Sequence, residues 1–564
     1  MNVPINGLRL LAVETSLLAA LFSLVFLLVR FVRPSLPRPR WVELILAKNS
    51  RGVWFVIAVA LVGRALLLPI QGVPQPRIND EYSYLLMADT FSHLRLTNPT
   101  PPAWQHFETF HVNLTPTYHS KYPVSQGLAL AFGESVFHQP WIGVYLSTAL
   151  LCGAICWALQ AFLPAVWALL GGLLAVFRIA LFSYWMNSYW GGSMAALGGA
   201  LALGSVVRLF EAGRTGRSRL LLASLFAVSL LLLATSRPYE GCAFSIPLLA
   251  YFGYQTIQTS MRKETKLSAT LLPVMLIGFT GIAEIGYYNQ RTTRSPFLLP
   301  YALYERTYPD LLASLPLLFE KKAPPKVPAR DPVFEKWYEV LAEEHGYEQT
   351  RTVSGLLALE TQRLGVNWLF YVGPALSFPV LVGILSCITQ PRLRIAIAVT
   401  ITTGGAVAIN LVSQLHYFSP ATIAIYLFAV EGLRYLWQQH EAAERAFVIA
   451  ACLTVGLVTL TRQTGSSTMN TRFAFPDTRR LVAQQLESKP GKHLVLISYD
   501  LERHYPGNEL VHNGADFNSE KILWARSKGT DNDLDLCHAY SNRTFWGLTT
   551  DDEEMSLRPL ELCK

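Results

Sequence analysis

The chain is short of charged residues and of cysteines. Only 15% of its 564 residues are charged, whereas 51% are hydrophobic. Because the charged share of ordinary soluble domains is about 25%, the composition excludes that class. The seven cysteines show no metal-type spacing: Cys537 and Cys563 belong to a polar tail, and the others lie in apolar stretches as predicted small core residues, namely Cys152, Cys156, Cys242, Cys387 and Cys452.

Two further features are missing from the sequence. The formal net charge is +8, but the positive residues form no single patch or arm, which argues against a nucleic-acid partner. No cleavable signal peptide is predicted, because the first apolar run is long and is followed by PSLPRPR, a pattern typical of a retained anchor.

Long apolar runs are what the sequence has in abundance. A helix needs about 20 mainly apolar residues to cross a bilayer. The runs predict an α-helical polytopic membrane protein with about twelve transmembrane helices, at 10–31, 53–70, 140–160, 163–183, 192–210, 219–236, 242–258, 268–288, 367–389, 394–412, 416–436 and 446–462.

The distribution of basic residues predicts how these helices are oriented. Lys and Arg recur in every second connection, and such loops remain on the cytoplasmic side. The amino terminus and the large polar insertions are then expected on the outside of the cytoplasmic (inner) membrane, facing the periplasm. The basic connections are 32–52, 208–219, 261–266, 391–394 and 434–445.

Three domains are predicted from this pattern. Residues 1–52 form an extra N-terminal transmembrane helix and a basic cytoplasmic loop. Residues 53–462 form the transmembrane bundle, with outer loops 71–139 and 289–366. Residues 463–564 form a small extracytoplasmic α/β domain, because helix-like DTRRLVAQQLES is followed by strand-like HLVLISYD, KILWARSKG and RTFWGL.

Two adjacent carboxylates stand out in the first outer loop. Asp80 and Glu81 begin the stretch DEYSYLLMADTF, shortly after an apolar run and therefore close to the outer membrane boundary. The stretch is typical of an amphipathic helix start, where an N-cap Asp and a first-turn Glu are favourable without any catalytic role. The pair is therefore either a catalytic carboxylate site or a helix cap.

Cationic and aromatic residues in other loops on the same face favour the site. Ionisable groups near a membrane are costly and usually mark a pathway or a site. Cations there suit a phosphate group, since Arg offers a forked contact. The candidate donor-phosphate or substrate contacts are Lys121, Tyr122, Arg237, Tyr239, Arg291, His416 and Tyr417.

A carboxylate beside cations at the outer leaflet fits one reaction. A polyprenyl-phosphate-linked sugar would bind with its phosphate against Arg or Lys, and the carboxylate would take the proton of an attacking hydroxyl. Nucleotide sugars are scarce outside the cytoplasm, so a lipid-linked donor is expected. The acceptor is a protein, a lipid or a glycan, and membrane lipids surround the chain.

Four short motifs of the chain resemble motifs of a known family. They are Asp80-Glu81 in the first outer loop, KYPVSQG at its end, SRPYEG after the sixth span and LHYFSP near the end of the bundle. In these the chain resembles the GT-C superfamily of integral-membrane glycosyltransferases, in particular bacterial members related to protein O-mannosyltransferases and the lipid A aminoarabinose transferase. The resemblance implies that Asp80, with Glu81 beside it, is the catalytic carboxylate. The chain departs from the family in having an extra span before this loop.

Several residues keep two interpretations. Asn187, Tyr189 and Trp190 are candidate sugar or acceptor contacts, although Trp and Tyr also form interfacial belts. Arg178 is either a phosphate ligand or a cation that extends its charge to the membrane surface. The first outer loop also holds His93, His106, His111 and His119, and its segment HFETFH could supply two or three ligands to a divalent metal. Their spacing matches no standard metal site, so a metal is left as an alternative and no cofactor is predicted.

Two other functions fit the same sequence. A polysaccharide polymerase or ligase would use a similar donor and a similar layout. A transporter or flippase for lipids or sugars also has about twelve spans, but such proteins more often show two related halves and charges at mid-bilayer. Neither feature is visible here, which favours the enzyme.

Overall fold

The computed structural model of the chain is mostly helical. It describes residues 5–32, 40–213, 216–262, 267–308, 331–344, 346–410, 412–461, 475–551 and 555–562. The helices up to the second outer loop are α1 Ile5–Val32, α2 Arg40–Leu46, α3 Asn49–Leu66, α4 Leu68–Gln71, α5 Asn79–Ser92, α6 Val124–Phe137, α7 Trp141–Leu159, α8 Ala165–Ala175, α9 Ser193–Leu209, α10 Gly216–Ala234, α11 Pro238–Met261 and α12 Leu267–Thr293.

The remaining elements belong to the second outer loop, the last helices of the bundle and the tail. The helices are α13 Pro300–Thr307, α14 Pro332–Glu344, α15 Val353–Tyr371, α16 Gly373–Thr389, α17 Arg394–Ile409, α18 Thr422–Gln438, α19 Ala442–Thr461, α20 Phe475–Glu487 and α21 Thr530–Ala539. The strands are β1 Val112–Asn113, β2 His119–Ser120, β3 Lys492–Tyr499, β4 Ile522–Arg526, β5 Arg543–Thr550 and β6 Met555–Pro559.

Every predicted apolar run overlaps a helix, but the number of twelve spans is not confirmed. By length and composition, six helices in the described part of the chain can cross a membrane, or seven if the bent pair α15 and α16 counts as one. The difference arises because some apolar helices are short. At 1.5 Å per residue, the 17 residues of α9 extend only about 25 Å, less than the hydrocarbon core of about 30 Å.

Glycine permits the closest helix contact in the bundle. A Cβ on Gly383 of α16 would lie 1.9 Å from the carbonyl oxygen of Phe428 in α18, and a Cβ on Gly432 would lie 1.8 Å from that of Pro379. No side chain fits at such distances. Small residues let the two backbones approach, which favours helix association in a membrane.

The C-terminal α/β domain is confirmed. Its sheet has the strand order β4-β3-β5-β6, in which β3 is parallel to β4 and β5, and β6 is antiparallel to β5. The domain packs on the first outer loop. Asp89 of α5 accepts a hydrogen bond from the backbone N–H of Ala515 at 2.6 Å, and Lys528 lies 2.9 Å from Glu108.

The prediction of small core cysteines is confirmed at three of five positions, and a fourth, Cys452, is half-buried. Cys152, Cys156 and Cys387 are buried and free, as expected of small core residues. Cys242 is exposed instead, because it lies on the outward face of α11 near exposed Tyr239 and Ile246. Cys537 is disulfide-bonded. Cys563, the other cysteine of the tail, lies outside the described residues.

Candidate functional site

Asp80 lies in the first turn of α5 with its carboxylate partly accessible. The side chain is 25% exposed. Tyr122 donates a hydrogen bond to Asp80 Oδ1 at 2.5 Å, and His111 Nε2 lies 3.6 Å from Oδ2. The carboxylate is therefore held in one orientation and still open to a further partner.

A short hairpin brings Tyr122 to Asp80. Strands β1 and β2 pair in antiparallel fashion, and Lys121 and Tyr122 follow β2 directly. The Tyr122 ring stacks on Tyr84, one helical turn beyond Asp80, with 4.6 Å between ring centroids. Ser83 donates a hydrogen bond to the carbonyl of His111 at 2.6 Å, which holds the hairpin against α5.

Lys121 is a buried cation in an aromatic setting. Its Nζ lies 4.3 Å from the ring centroid of Tyr304 and 4.7 Å from that of Tyr301. Glu305 Oε1 lies 3.5 Å away. The second outer loop thus contributes α13 to the surroundings of Lys121, and sequence reasoning missed Tyr304 and Glu305 because they follow Lys121 by about 180 residues.

A second cation, Arg237, belongs to the same cluster. Its guanidinium lies 4.5 Å from the ring centroid of Tyr417 and is hydrogen-bonded to that residue. Glu240, in the first turn of α11, is buried and interacts electrostatically with Arg237. Asp80 acts electrostatically on Tyr417 as well, so the cations, Asp80 and the tyrosines share one region.

His416 and Trp190 contact each other beside the cluster of Arg237 and Tyr417. His416 is buried, its Nδ1 lies 3.0 Å from the Tyr184 hydroxyl, and its ring centroid lies 4.6 Å from that of Trp190. The segments SYWMNSYWGG, residues 183–192, and SQLHYFSP, residues 413–420, therefore meet. Tyr184 was not singled out from the sequence, although it belongs to the first of these motifs.

The structure gives Glu81 the cap role. Its carboxylate accepts hydrogen bonds from the backbone N–H groups of Arg77 at 2.6 Å and Ile78 at 3.3 Å, and from that of Tyr189 at 2.8 Å. Burial raises the pKa of Glu81 to about 7, against the opposing effect of these donors. Glu81 therefore fastens the start of α5 to the loop 181–192.

Replacing Glu81 with Ala should lower stability. Three backbone donors would lose their acceptor, and unsatisfied buried donors cost about 1–3 kcal/mol each. We expect the free energy of unfolding to fall by about 3 kcal/mol, measured by thermal or denaturant unfolding in detergent. Glu502→Ala, at an exposed position, is the control. Equal stability of the two variants would contradict the cap role.

Tyr189 packs in one apolar cluster with Tyr84 and Tyr122, whereas the described residues show no contact that brings the predicted contacts Asn187, Tyr239 and Arg291 to Asp80 or the two cations. Asn187 accepts a hydrogen bond from Arg64 at 2.8 Å and donates to two backbone carbonyls, and Tyr189 donates to the carbonyl of Pro74. Tyr239 is 47% exposed. Arg291 is exposed and contacts Tyr287.

His111 is half-buried and uncharged at neutral pH. Burial, and secondarily the charge of Lys121, lowers the pKa of His111 to about 3, while Asp80 acts in the opposite direction. The contact between His111 and Asp80 is therefore not an ion pair. The uncharged imidazole ring of His111 instead lies beside the carboxylate of Asp80.

This lowered pKa predicts a pH dependence of stability. The unfolded chain binds a proton at His111 near pH 6.5 and the folded chain only near pH 3. Acid therefore favours the unfolded state as pH falls below 6.5. We expect the melting temperature of the wild type to approach that of His111→Asn as pH falls from 7.5 to 5. A constant difference between the two proteins across this range would contradict the assignment.

The other loop histidines lie apart from one another. His93 contacts Asp89, His106 contacts the carbonyl of Arg526, and His119 contacts Asn113. Within the described residues, no group of three or more His, Cys, Asp or Glu side chains is arranged to hold a metal ion.

Comparison with known proteins was made by sequence and by structure. No family model and no curated protein matches the sequence. The structure is similar to ArnT from Cupriavidus metallidurans bound to undecaprenyl phosphate, with 11% identity over 89% of this chain and 93% of that chain and a TM-score of 0.51. It is also similar to the Archaeoglobus fulgidus oligosaccharyltransferase in complex with Zn and sulfate, with 11% identity over 88% and 67% of the two chains and a TM-score of 0.50.

These similarities define the class of fold. The chain has the fold of these two solved structures, which agrees with the fold that the resemblance of its motifs implies. ArnT and the archaeal oligosaccharyltransferase are the particular proteins whose fold it shares. At 11% identity, the likeness concerns the fold.

Proposed function

We propose that the chain is a glycosyltransferase that moves a sugar from a polyprenyl-phosphate-linked donor to a hydroxyl acceptor. One observation supports this above all. Asp80 is a partly exposed carboxylate, and it shares a cluster with Arg237 and a loop with Lys121. A base and cations for a phosphate are the two requirements of transfer from a sugar phosphate.

Each residue of the site has its own role in the proposed transfer reaction. The acceptor oxygen attacks the anomeric carbon, its proton goes to Asp80, and the bond between that carbon and the phosphate oxygen breaks. The polyprenyl phosphate leaves with the electron pair of the broken bond. Tyr122 holds the carboxylate of Asp80, while Arg237, oriented by Tyr417, and Lys121 stabilise the phosphate as its charge grows.

The same proposal places the site on the outer face of the inner membrane. The basic loops favour this orientation, since Lys and Arg are retained on the cytoplasmic side. The disulfide-bonded Cys537 in the C-terminal domain agrees with it, because disulfides persist in oxidising compartments. The acceptor is then a protein, lipid or glycan that is available in the periplasm.

Comparative mass spectrometry tests this function. Surface glycans and glycoproteins from cells that lack the gene are compared with those from wild-type cells, and with cells that carry the gene on a plasmid. We expect one sugar to be missing without the gene and restored by the plasmid, which identifies the donor sugar and the acceptor together. Identical profiles in all three would contradict the proposal. Accumulation of a lipid-linked sugar on the cytoplasmic side would instead indicate a flippase.

A further inference from the structure

The extra N-terminal helix α1 lies beside the last helices of the bundle. It packs against α16 and α19, and the ring of Phe22 lies 6.4 Å from that of Phe447 in α19. Its acidic residue Glu14 is fully buried. Because a buried charge needs compensation, the partners of Glu14 show what the helix does.

Glu14 forms an ion pair with Arg178 inside the bundle. Glu14 Oε2 lies 2.9 Å from Arg178 Nη1, and both side chains are almost completely buried. The sequence left Arg178 as a phosphate ligand or a surface-reaching cation, and the structure contradicts both. Arg178 lies in the π-helical turn Val176–Ala180, which continues α8.

The pair is inserted at the break between α15 and α16, where the helix direction changes by 101°. Arg178 donates hydrogen bonds to the carbonyls of Phe370 and Leu369, at the end of α15. Glu14 accepts a hydrogen bond from the backbone N–H of Ala375 at 3.2 Å, at the start of α16.

The two charges match the two helix ends. The last carbonyls of α15 and the first N–H groups of α16 lack partners within their own helices. A cation is favourable at the carboxyl end of a helix and an anion at the amino end. Gly373 at the break has a φ of +64°, which favours glycine, and a Cβ there would lie 2.6 Å from Glu14 Oε1 and even closer to Arg178, so a side chain at this position would displace the pair.

A series of contacts connects the break between α15 and α16 to the functional site. The Tyr371 hydroxyl donates a hydrogen bond to the carbonyl of Leu415 at 2.7 Å, directly before His416. The ring of Phe370 packs against Tyr184, whose hydroxyl lies 3.0 Å from His416. Tyr417, the next residue, contacts Arg237.

We propose that Glu14 and Arg178 are positioning residues for donor binding. They fix the break between α15 and α16, and through Tyr371 and Leu415 this break holds Tyr417 against Arg237. The extra helix α1 then contributes to donor binding, and it does not serve only to anchor the chain in the membrane. The effect on donor binding rests on the proposed function, whereas the effect on the break does not.

A kinetic comparison separates positioning from a merely structural role. In Glu14→Gln and Arg178→Met, we expect the KM for the lipid-phosphate-linked sugar to rise about tenfold, with an unchanged KM for the acceptor. Glu431→Gln is the matched control, because Glu431 is also a fully buried carboxylate and pairs with Arg434 elsewhere in the bundle. A lower kcat with an unchanged donor KM would overturn the proposal.

The exchange Glu14→Arg with Arg178→Glu tests why each charge stands where it does. The exchanged pair retains the attraction but places an anion at the end of α15 and a cation at the start of α16. We therefore expect the donor KM to remain raised. Recovery of the wild-type KM would show that the pair only ties α1 to the bundle, and would overturn the capping role.

A distance measurement reports on the break without any activity. Spin labels at Leu357→Cys and Leu385→Cys, both exposed, in a Cys242→Ser background measure the separation of α15 and α16. We expect one narrow distance distribution in the wild type and a broadened or shifted one in Glu14→Gln. The milder Glu14→Asp should give a smaller change if Glu14→Gln does not fold. Unchanged distributions would overturn this inference, whereas a wild type without transferase activity would overturn only the proposed function.

Discussion

Asp80→Asn is expected to lower the rate of sugar transfer by about 10³-fold, since a positioned general base contributes about 10²–10⁴-fold. The amide has nearly the shape of the carboxylate and can still contact Tyr122, so the variant should fold and bind the donor. It cannot, however, take the proton of the acceptor hydroxyl. The measurement is single-turnover transfer from a purified polyprenyl-phosphate sugar, with donor affinity measured separately.

Asp89→Asn is the matched control for this change. Asp89 lies on the same helix, and its carboxylate is also partly exposed, but it contacts His93 and the C-terminal domain. We expect its transfer rate per folded molecule to remain within about threefold of the wild type. Near-normal turnover of Asp80→Asn, or equal losses in both variants, would remove Asp80 from the role of base.

Arg237→Ala is expected to have the second largest effect, on donor binding. The guanidinium is oriented by Tyr417 and lies in a partly buried cluster, where a charge-assisted contact with a phosphate is worth about 2–3 kcal/mol. This corresponds to a weakening of donor affinity by about 30–150-fold. Arg237→Lys keeps the charge but loses the fork, so its affinity should be intermediate. Binding of undecaprenyl phosphate to the purified protein measures the effect.

Arg291→Ala is the matched control for Arg237. The sequence predicts both arginines as donor contacts, whereas the structure leaves Arg291 exposed beside Tyr287. We expect donor affinity to change less than twofold in Arg291→Ala. If the two variants bind the donor equally, Arg237 does not hold the phosphate, and the cluster has been assigned wrongly.

The sequence predicted the positions of the apolar helices, though not the number that can cross a membrane, and it named residues that the structure places close together. Apolar runs locate helices well, because the bilayer requires a minimum length of apolar helix. Short motifs with ionisable residues next to such runs located Asp80, Tyr122, Arg237 and Tyr417. The structure brings these four together, which a common face of the membrane had already suggested.

The sequence could not show which way neighbouring side chains point. Asp80 and Glu81 are adjacent and chemically alike, yet Glu81 is turned to backbone N–H groups while Asp80 is turned to Tyr122. The difference depends on how α5 meets the loop 181–192. This tertiary contact joins residues that are more than 100 positions apart in the sequence, and neither motif indicates it.

Buried pairs across distant helices were hidden for the same reason. Arg178 has no local partner, because its partner Glu14 lies 164 residues earlier in the chain. Asn187 belongs to an aromatic motif that suggests sugar binding, but Arg64 occupies its amide oxygen. A single sequence does not reveal which helices are neighbours, and these assignments depend on that knowledge.

Donor cleavage in reconstituted vesicles tests the central claim most directly. The purified wild type and Asp80→Asn are each incorporated with a polyprenyl phosphate that carries a labelled sugar, together with an acceptor extract from cells lacking the gene. We expect the wild type to release polyprenyl phosphate and move the label to the acceptor, while Asp80→Asn binds the donor and releases almost none. Equal release by both proteins, or movement of the intact labelled lipid across the bilayer without cleavage, would contradict it.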